Sequence, residues 1–280
     1  MRRRFFVDAF TGGSARLIGD AAHHLGRVLR AEPGQLYELS DGSSVFLARI
    51  ERVSNNRIDF ALLEKLAAPS ASLEIVVLLA IVKFDRFEWA LEKATELGVN
   101  TIVPLAAERS EKVLVSAAAK RAVRWRKILL ESAQQARCLR PPALQGVTRP
   151  APAFAENAAS VKVLFSERSR AVPLQAVFKE AASKGIESIP LRIAVAIGPE
   201  GGWADKEFDA GCAAGFREAL LGKNILRTET ALIAGLAAAH LYFERDFASV
   251  GQVPEQPGRQ DRERAGGVVS HDTGASRGTR

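Results

Sequence analysis

The sequence has few cysteines and histidines and lacks a long apolar run. Its two cysteines, Cys138 and Cys212, are too few and too isolated for a disulfide framework, which favours a reducing compartment. The four histidines do not combine with them in the spacing of a metal site. No apolar run reaches the roughly 20 residues that cross a bilayer, and the basic start MRRRFF lacks the apolar segment of a signal peptide. We therefore expect a cytoplasmic protein without a metal or a membrane anchor.

Acidic residues are also fewer than basic ones. The chain of 280 residues has 39 lysines and arginines against 32 aspartates and glutamates, a formal net charge of +7. This excess favours an acidic partner, with nucleic acid before anionic membrane. The alternative is that surplus arginine only keeps the protein in solution, and composition leaves both open. Apolar residues at 47% provide ample material for a buried core.

The first 68 residues read as short strands. Runs of β-formers at 35–40, 44–53 and 57–65 are separated by the turn signals DGSS and SNN. Short strands in a small domain predict a compact β-barrel over residues 1–68. Residues 67–72, AAPSAS, predict a linker.

From residue 73 to about 247 the pattern alternates between strand and helix. Residues 73–82 form a continuous apolar run, as in a strand that is buried on both faces. The alternation predicts an α/β domain with a mostly parallel sheet and helices on both faces. Predicted strands lie at 73–82, 101–105, 161–166, 192–197 and 218–221, and predicted helices at 84–97, 116–137, 173–184, 204–215 and 230–244. Residues 248–280 are polar and rich in glycine, which predicts a disordered tail.

The stretch IGPEGGW, residues 197–203, joins a predicted strand to a predicted helix. It is not a phosphate loop, because no lysine and serine or threonine follow its last glycine. Glu200 would repel phosphate, so the turn favours a cationic or zwitterionic ligand. The alternative is purely structural: Gly201 and Gly202 shape the turn, and Glu200 stabilises the start of the next helix.

A second polar loop, LGKNILRTETA, follows the strand predicted at 218–221. In open α/β sheets, ligands bind beyond the carboxyl ends of the strands, where both loops are expected. Helix capping would explain Thr228, Glu229 and Thr230, but it would not explain Arg227.

Together these loops resemble the paired signature loops of the ribosomal RNA small subunit methyltransferase E family, the 16S rRNA uracil-N3 methyltransferases of the SPOUT superfamily. KFDRFEWALEKATELGV resembles the first helix of the family's catalytic domain, and ERS its next loop. HHLGRVLRAEPGQ and LSDGS resemble its N-terminal barrel. The resemblance covers about residues 1–247, with two departures. Lys223 and Asn224 stand where the family usually has a pair such as Pro-Arg, and QQARCLRPP, residues 134–142, fits the family's glutamine-rich helix end only loosely.

The resemblance implies a trefoil-knotted SPOUT methyltransferase domain over 73–247, preceded by a PUA-like RNA-binding barrel over 1–68. It implies a homodimer that binds S-adenosylmethionine and methylates small-subunit ribosomal RNA, free or in the 30S particle. This cofactor is a zwitterion with a sulfonium cation and no phosphate, which is compatible with a turn that contains glutamate. Two rivals stay open: a SPOUT enzyme that methylates a ribose 2′-hydroxyl, and an RNA-binding module without activity.

The resemblance also assigns site residues. Arg227 is expected to stabilise charge on the uracil, and Glu229 is a second catalytic candidate that would accept a proton. The expected cofactor contacts are Ile197, Gly198, Pro199, Glu200, Gly201, Gly202, Leu221, Gly222, Ile225, Leu226, Thr228, Thr230 and Ala231. The expected RNA contacts are Arg3, Arg4, Arg27, Arg30, Lys83, Arg86 and Arg109, each of which has a solvated surface charge as its alternative.

Overall fold

The computed structural model describes residues 3–68, 72–168, 171–184 and 190–244. The predicted tail over 248–280 lies outside these residues. Two β-sheets belong to one compact unit, Met1–Arg245. The first sheet is built from residues before the predicted linker, and the second from residues after it.

The N-terminal sheet has six strands and is mostly antiparallel. Its strands are β1 (Arg4–Phe6), β2 (Phe10–Thr11), β3 (Ser14–Ile18), β4 (Leu36–Ser40), β5 (Val45–Ser54) and β6 (Arg57–Leu66), in the order β1-β4-β5-β6-β3-β2. Only β1 and β4 pair in parallel. A short helix, α1 (Gly19–His23), and a π-helical turn at His24–Val28 connect β3 to β4. Leu25 from this turn packs into one core with Phe5, Leu39 and Phe60.

The second sheet has seven strands, and every pairing in it is parallel. Its strands are β7 (Leu73–Ala80), β8 (Thr101–Leu105), β9 (Ala143–Leu144), β10 (Val161–Phe165), β11 (Val172–Pro173), β12 (Leu191–Ile197) and β13 (Arg217–Leu220). The order is β11-β13-β10-β12-β7-β8-β9, so the apolar strands β7 and β12 lie at the centre. The predicted mostly parallel sheet is confirmed.

Helices cover both faces of the parallel sheet. They are α2 (Phe84–Glu96), α3 (Lys112–Gln135), α4 (Pro150–Ala155), α5 (Leu174–Ser183), α6 (Asp205–Ala213) and α7 (Thr228–Phe243). Alternate residues of β12 point to opposite faces. Ile193, Val195 and Ile197 enter the core shared with α2, α3, α5 and α7, whereas Ala194 and Ala196 enter the smaller core with α4 and α6.

A buried polar joint connects the two sheets. Arg4 donates hydrogen bonds from Nε and Nη2 to Oε2 of Glu38, at 3.1 and 2.9 Å. Its Nη1 donates to the carbonyl of Arg137 at 2.6 Å, just beyond the end of α3. Ser40 Oγ donates to the carbonyl of Leu139, also at 2.6 Å. The prediction that Arg4 contacts RNA is wrong, because its guanidinium is buried and its donors are already bonded within the protein.

Candidate active site

A cavity of about 570 Å³ opens at the carboxyl ends of three adjacent parallel strands, β13, β10 and β12. The last residues of these strands, Leu220, Phe165 and Ile197, line it. The two predicted loops border the cavity, so the prediction that they meet at one crevice is confirmed. The loop after β10, residues 166–168, forms a third border that the sequence reading missed, although the same strand-end rule applies to it.

The first loop is folded tightly over an indole ring. The Trp203 side chain is buried and donates its ring N–H to the carbonyl of Phe165 at 3.1 Å. A Cβ atom added to Gly198 would lie 3.1 Å from the Trp203 ring, so only glycine fits there without a shift. Gly202 has φ +69°, and its N–H donates to the carbonyl of Pro199 at 2.8 Å, which closes the turn. The turn therefore brings its backbone to the cavity wall.

Two arginines from other elements hold this turn. Arg86 of α2 forms an ion pair with Glu200, which gives the glutamate in the turn a partner within the chain. Arg109 donates from Nη1 to the carbonyl of Gly201 at 2.7 Å, and Arg109 itself lines the cavity. Both arginines were predicted to contact RNA. The structure places their guanidinium groups on the cavity turn, which the sequence could not show because 114 and 92 residues separate the partners.

Glu207 fixes the exit of the turn. Its carboxylate is buried and accepts the N–H of Ala204 at 3.1 Å, which is the glutamate half of a capping box at the start of α6; Ala204 has no side-chain acceptor for the other half. Its other oxygen accepts the N–H of Glu108 at 2.7 Å. Glu207 thus connects the loop that carries Arg109 to the end of the glycine turn. The sequence reading missed this residue, although glutamate three positions after a helix start is the usual signal for it.

The second loop is bonded to the first. Thr228 is buried, and its Oγ1 donates to the carbonyl of Gly198 at 3.0 Å. The expected alternative, helix capping by this threonine, does not occur, because Arg227 is the N-cap residue of α7 and makes no side-chain capping bond. Of the thirteen residues predicted to contact the cofactor, all except Thr230 line the cavity.

The two predicted catalytic residues do not line the cavity. Arg227 is exposed at the N-cap of α7, between the lining residues Leu226 and Thr228. Glu229 is 8% exposed, and its Oε2 has no hydrogen-bond partner among the described residues. An unpaired buried carboxylate oxygen is costly, so this position in the first turn of α7 is unusual.

Several lining residues were not predicted. Arg168, after β10, lines the cavity, forms an ion pair with Asp205, and places its guanidinium 4.2 Å from the centre of the Phe208 ring. The other lining residues that were not predicted as cofactor contacts are Arg109, which was predicted to contact RNA, and Phe165, Ser166, Glu167, Trp203, Ala219, Leu220, Lys223 and Asn224.

The remaining predicted RNA contacts lie on the surface. Arg3, Arg27, Arg30 and Lys83 are exposed. Arg27 donates from Nη2 to Oδ1 of Asn55 at 3.3 Å. Arg27 and Arg30 lie on different backbone segments, because the π-helical turn ends at Val28 and Arg30 follows it with φ +53°.

Two further searches were confined to the described ranges between residues 3 and 244. They contain no group of three histidine, cysteine, aspartate or glutamate side chains that could hold a metal ion. Within the same ranges, no helix has both the length and the apolar character needed to cross a membrane.

Comparison with known proteins identifies the family. Residues 69–240 match the RNA methyltransferase domain family. The ribosomal RNA small subunit methyltransferase E of Mycobacterium tuberculosis is 30% identical over 253 residues, 88% of this chain and 94% of that protein. The enzyme of the same name from Synechocystis is 31% identical over 228 residues, 79% of this chain and 71% of that protein.

A solved structure agrees with the sequence comparisons. The Neisseria gonorrhoeae member, crystallised with S-adenosylmethionine, has a TM-score of 0.74 and 29% identity, covering 86% of this chain and 98% of its own. A Legionella pneumophila methyltransferase in complex with the same cofactor has a TM-score of 0.74 and 28% identity, with the same coverage. This chain belongs to the ribosomal RNA small subunit methyltransferase E family of RNA methyltransferases.

Proposed function

We propose that this chain transfers a methyl group from S-adenosylmethionine to N3 of a uridine in the 16S RNA of the small ribosomal subunit. The observation that supports this proposal is the cavity, in which both loops that resemble the family's signature loops take part. Its volume of about 570 Å³ lies in the usual range for small-molecule sites. The N. gonorrhoeae and L. pneumophila relatives, which share this fold, were crystallised with that cofactor.

The cavity wall suits a zwitterionic ligand without phosphate. Glu167 and Glu200 line it together with Arg109, Arg168 and Lys223, so the wall presents both signs of charge to a ligand that carries both a sulfonium and a carboxylate. Gly198 lets the first loop pack directly on the buried Trp203 ring, and Gly202 supplies the positive φ of its turn. When bound, the cofactor supplies an electrophilic methyl group. The two loops, held together by the bond from Thr228 to Gly198, would orient that group toward the RNA base.

The two proposed catalytic residues, Arg227 and Glu229, lie at the start of α7. Uracil N3 becomes a strong nucleophile once its proton leaves, and the resulting charge spreads over O2 and O4. Arg227 is exposed beside the cavity, so its guanidinium is accessible to a base that enters from solvent and can stabilise this charge. Glu229, buried without a partner for Oε2, is the second candidate, as proton acceptor.

RNA binding is assigned to the N-terminal sheet, residues 1–68, and methyl transfer to residues 73–247, with the trefoil knot of the family. Arg3, Arg27 and Arg30 remain as phosphate contacts on the first region, and Lys83 on the second. The protein is proposed to act in the cytoplasm, on free RNA or on the 30S particle.

The composition of α7 supports a homodimer. Among its 16 residues the helix carries one acidic residue and one histidine, and the rest are neutral. Ile233, Ala234 and Ala237 are only half-buried, and Leu241 is 75% exposed. A helix that is apolar on all sides is normally buried, so a second copy of the chain would cover this face.

Nucleoside analysis of the methylated product tests the proposal. Purified protein, S-adenosylmethionine and 30S particles from a strain that lacks this gene should yield 3-methyluridine in the 16S RNA. A 2′-O-methylated nucleoside would show that the chain acts on ribose instead. If a calorimetric titration with S-adenosylmethionine detects no binding, the result would favour an RNA-binding module without activity.

A further inference from the structure

Helix α3 is the most basic helix of the methyltransferase domain. Its 24 residues contain six lysines and arginines and one glutamate, a net charge of +5 compared with +7 for the whole protein. Trp125 and Leu129 anchor the buried face of the helix in the core. Lys112, Lys120 and Lys127 are exposed and lie seven or eight residues apart, so they form one row on the opposite face. We call these three residues the lysine row.

The lysine row has few partners within the chain. Among the described residues, Lys112 and Lys120 contact no acidic group, and Lys127 lies 3.8 Å from Glu131 in an exposed pair. Such a pair contributes little to stability. Two of the three arginines of the helix differ, because Arg121 and Arg124 both contact Glu88 of α2. The lysine row therefore keeps its ammonium groups available to an external anion.

Helix α3 connects the two regions assigned to RNA and to cofactor. It begins three residues after Arg109, which lines the cavity, and it ends two residues before Arg137, whose carbonyl accepts the bond from Arg4 of the N-terminal sheet. A helix of 24 residues is about 36 Å long. The lysine row therefore runs along the solvent side of the element that joins the sheet to the cavity.

We propose that the lysine row binds the phosphate backbone of the RNA between the N-terminal sheet and the cavity. Lysine suits this role because its ammonium is a point charge that contacts a phosphate without a fixed orientation. The inference rests on the proposed RNA substrate and adds a contact surface, on the methyltransferase domain, to those named above. Contacts of this kind position the RNA and carry no base specificity.

The test compares two double variants that remove equal charge. In Lys120→Gln/Lys127→Gln, two ammonium groups of the lysine row are lost. In Lys179→Gln/Lys184→Gln, one is lost from α5 and one from the residue that follows it, Lys184, which pairs with Glu180. Binding to a small-subunit RNA fragment is measured at several salt concentrations. We expect the first variant to lower the slope of log affinity against log salt by about 1.4 for single-stranded RNA, or about 1.8 for duplex, and the control to leave it unchanged.

Two control measurements, of cofactor affinity and of binding to anionic vesicles, separate the outcomes. Cofactor affinity by calorimetry should be equal in both variants, which shows that the fold and the cavity are intact. Equal salt slopes for the two variants would overturn the proposal, and so would a selective loss of binding to anionic lipid vesicles without loss of RNA binding. The slope is measured without methylation, so it is informative even if the methylated atom is not uracil N3.

Discussion

The two sheets of this protein bury their strands differently. The N-terminal sheet packs one set of side chains into one core, whereas the parallel sheet has a core on each face. Every residue that lines the cavity lies between Arg109 and Ala231, so the N-terminal sheet contributes none. The doubly covered sheet thus provides a rigid edge from which loops bind a small ligand. The singly covered sheet leaves more of its surface free for a large partner.

The largest expected effect concerns the joint between the two sheets. Glu38→Ala removes the buried partner of Arg4, whose side chain is 8% exposed. Breaking a buried ion pair on one side typically costs about 3–5 kcal/mol, because the remaining charge is buried without compensation. We expect a loss of this size in the free energy of unfolding, measured in urea.

Asp59→Ala provides the matched control for the joint. Asp59 pairs with Arg57 in a more exposed position of the same sheet, so its loss should cost about 1 kcal/mol or less. Equal losses for the two variants would show that the buried pair of Arg4 and Glu38 stabilises the protein no more than an exposed pair does.

The second prediction separates chemistry from binding. Arg227→Ala should lower the single-turnover rate of methylation by about a hundred- to a thousand-fold, the usual effect of removing one preorganised charge stabiliser. RNA affinity should stay nearly the same. Arg192→Ala is the control, because Arg192 is exposed and pairs with Glu74. A variant that loses only RNA affinity and keeps its rate would make Arg227 a phosphate contact.

The third prediction concerns the parallel sheet alone. Gly198→Ala places a Cβ atom 3.1 Å from the buried Trp203 ring, so the turn must shift. Overpacking of this kind costs about 1–3 kcal/mol in the free energy of unfolding, and the displaced turn should weaken the cofactor Kd measured by calorimetry. Gly146→Ala, with nothing within 4 Å of the added atom, should leave the Kd unchanged. If RNA affinity fell as much as cofactor affinity, the division between the two sheets would be wrong.

The sequence predicted the parallel sheet better than the N-terminal one. Strand β8 matches its prediction at both ends, and β7 and β12 match within two residues, because continuous apolar runs mark strands buried on both faces. Strands β1, β2 and β3 were not predicted. They have two to five residues each, too few to show a clear alternation.

Part of the candidate site could be predicted from short stretches of the sequence. The rest depends on contacts between residues that are far apart in the chain. Residues 197–202 line the cavity because they form the end of one strand and the turn that follows it, and the sequence predicts both. The contacts of Arg86 and Arg109 with the turn depend on tertiary packing, which a local pattern cannot encode. Arg4 was assigned to the surface by residue type, and only the fold shows that Glu38 neutralises it.

The smallest effect at a single salt concentration is expected from the N-terminal sheet. Arg27→Ala/Arg30→Ala removes two exposed cations, and alanine at position 30 adds no backbone strain because arginine already has a Cβ atom at φ +53°. If both residues contact phosphate, the slope of log affinity against log salt should fall by about 1.4 for single-stranded RNA or about 1.8 for duplex. Cofactor affinity should not change, since neither residue lines the cavity.

When the arginine variant is combined with Lys120→Gln/Lys127→Gln, the two changes in slope should add if the N-terminal region and α3 contact different phosphates. If the slope is unchanged in the arginine variant, these residues of the N-terminal region do not contact phosphate, and RNA binding would be assigned to the region of the parallel sheet.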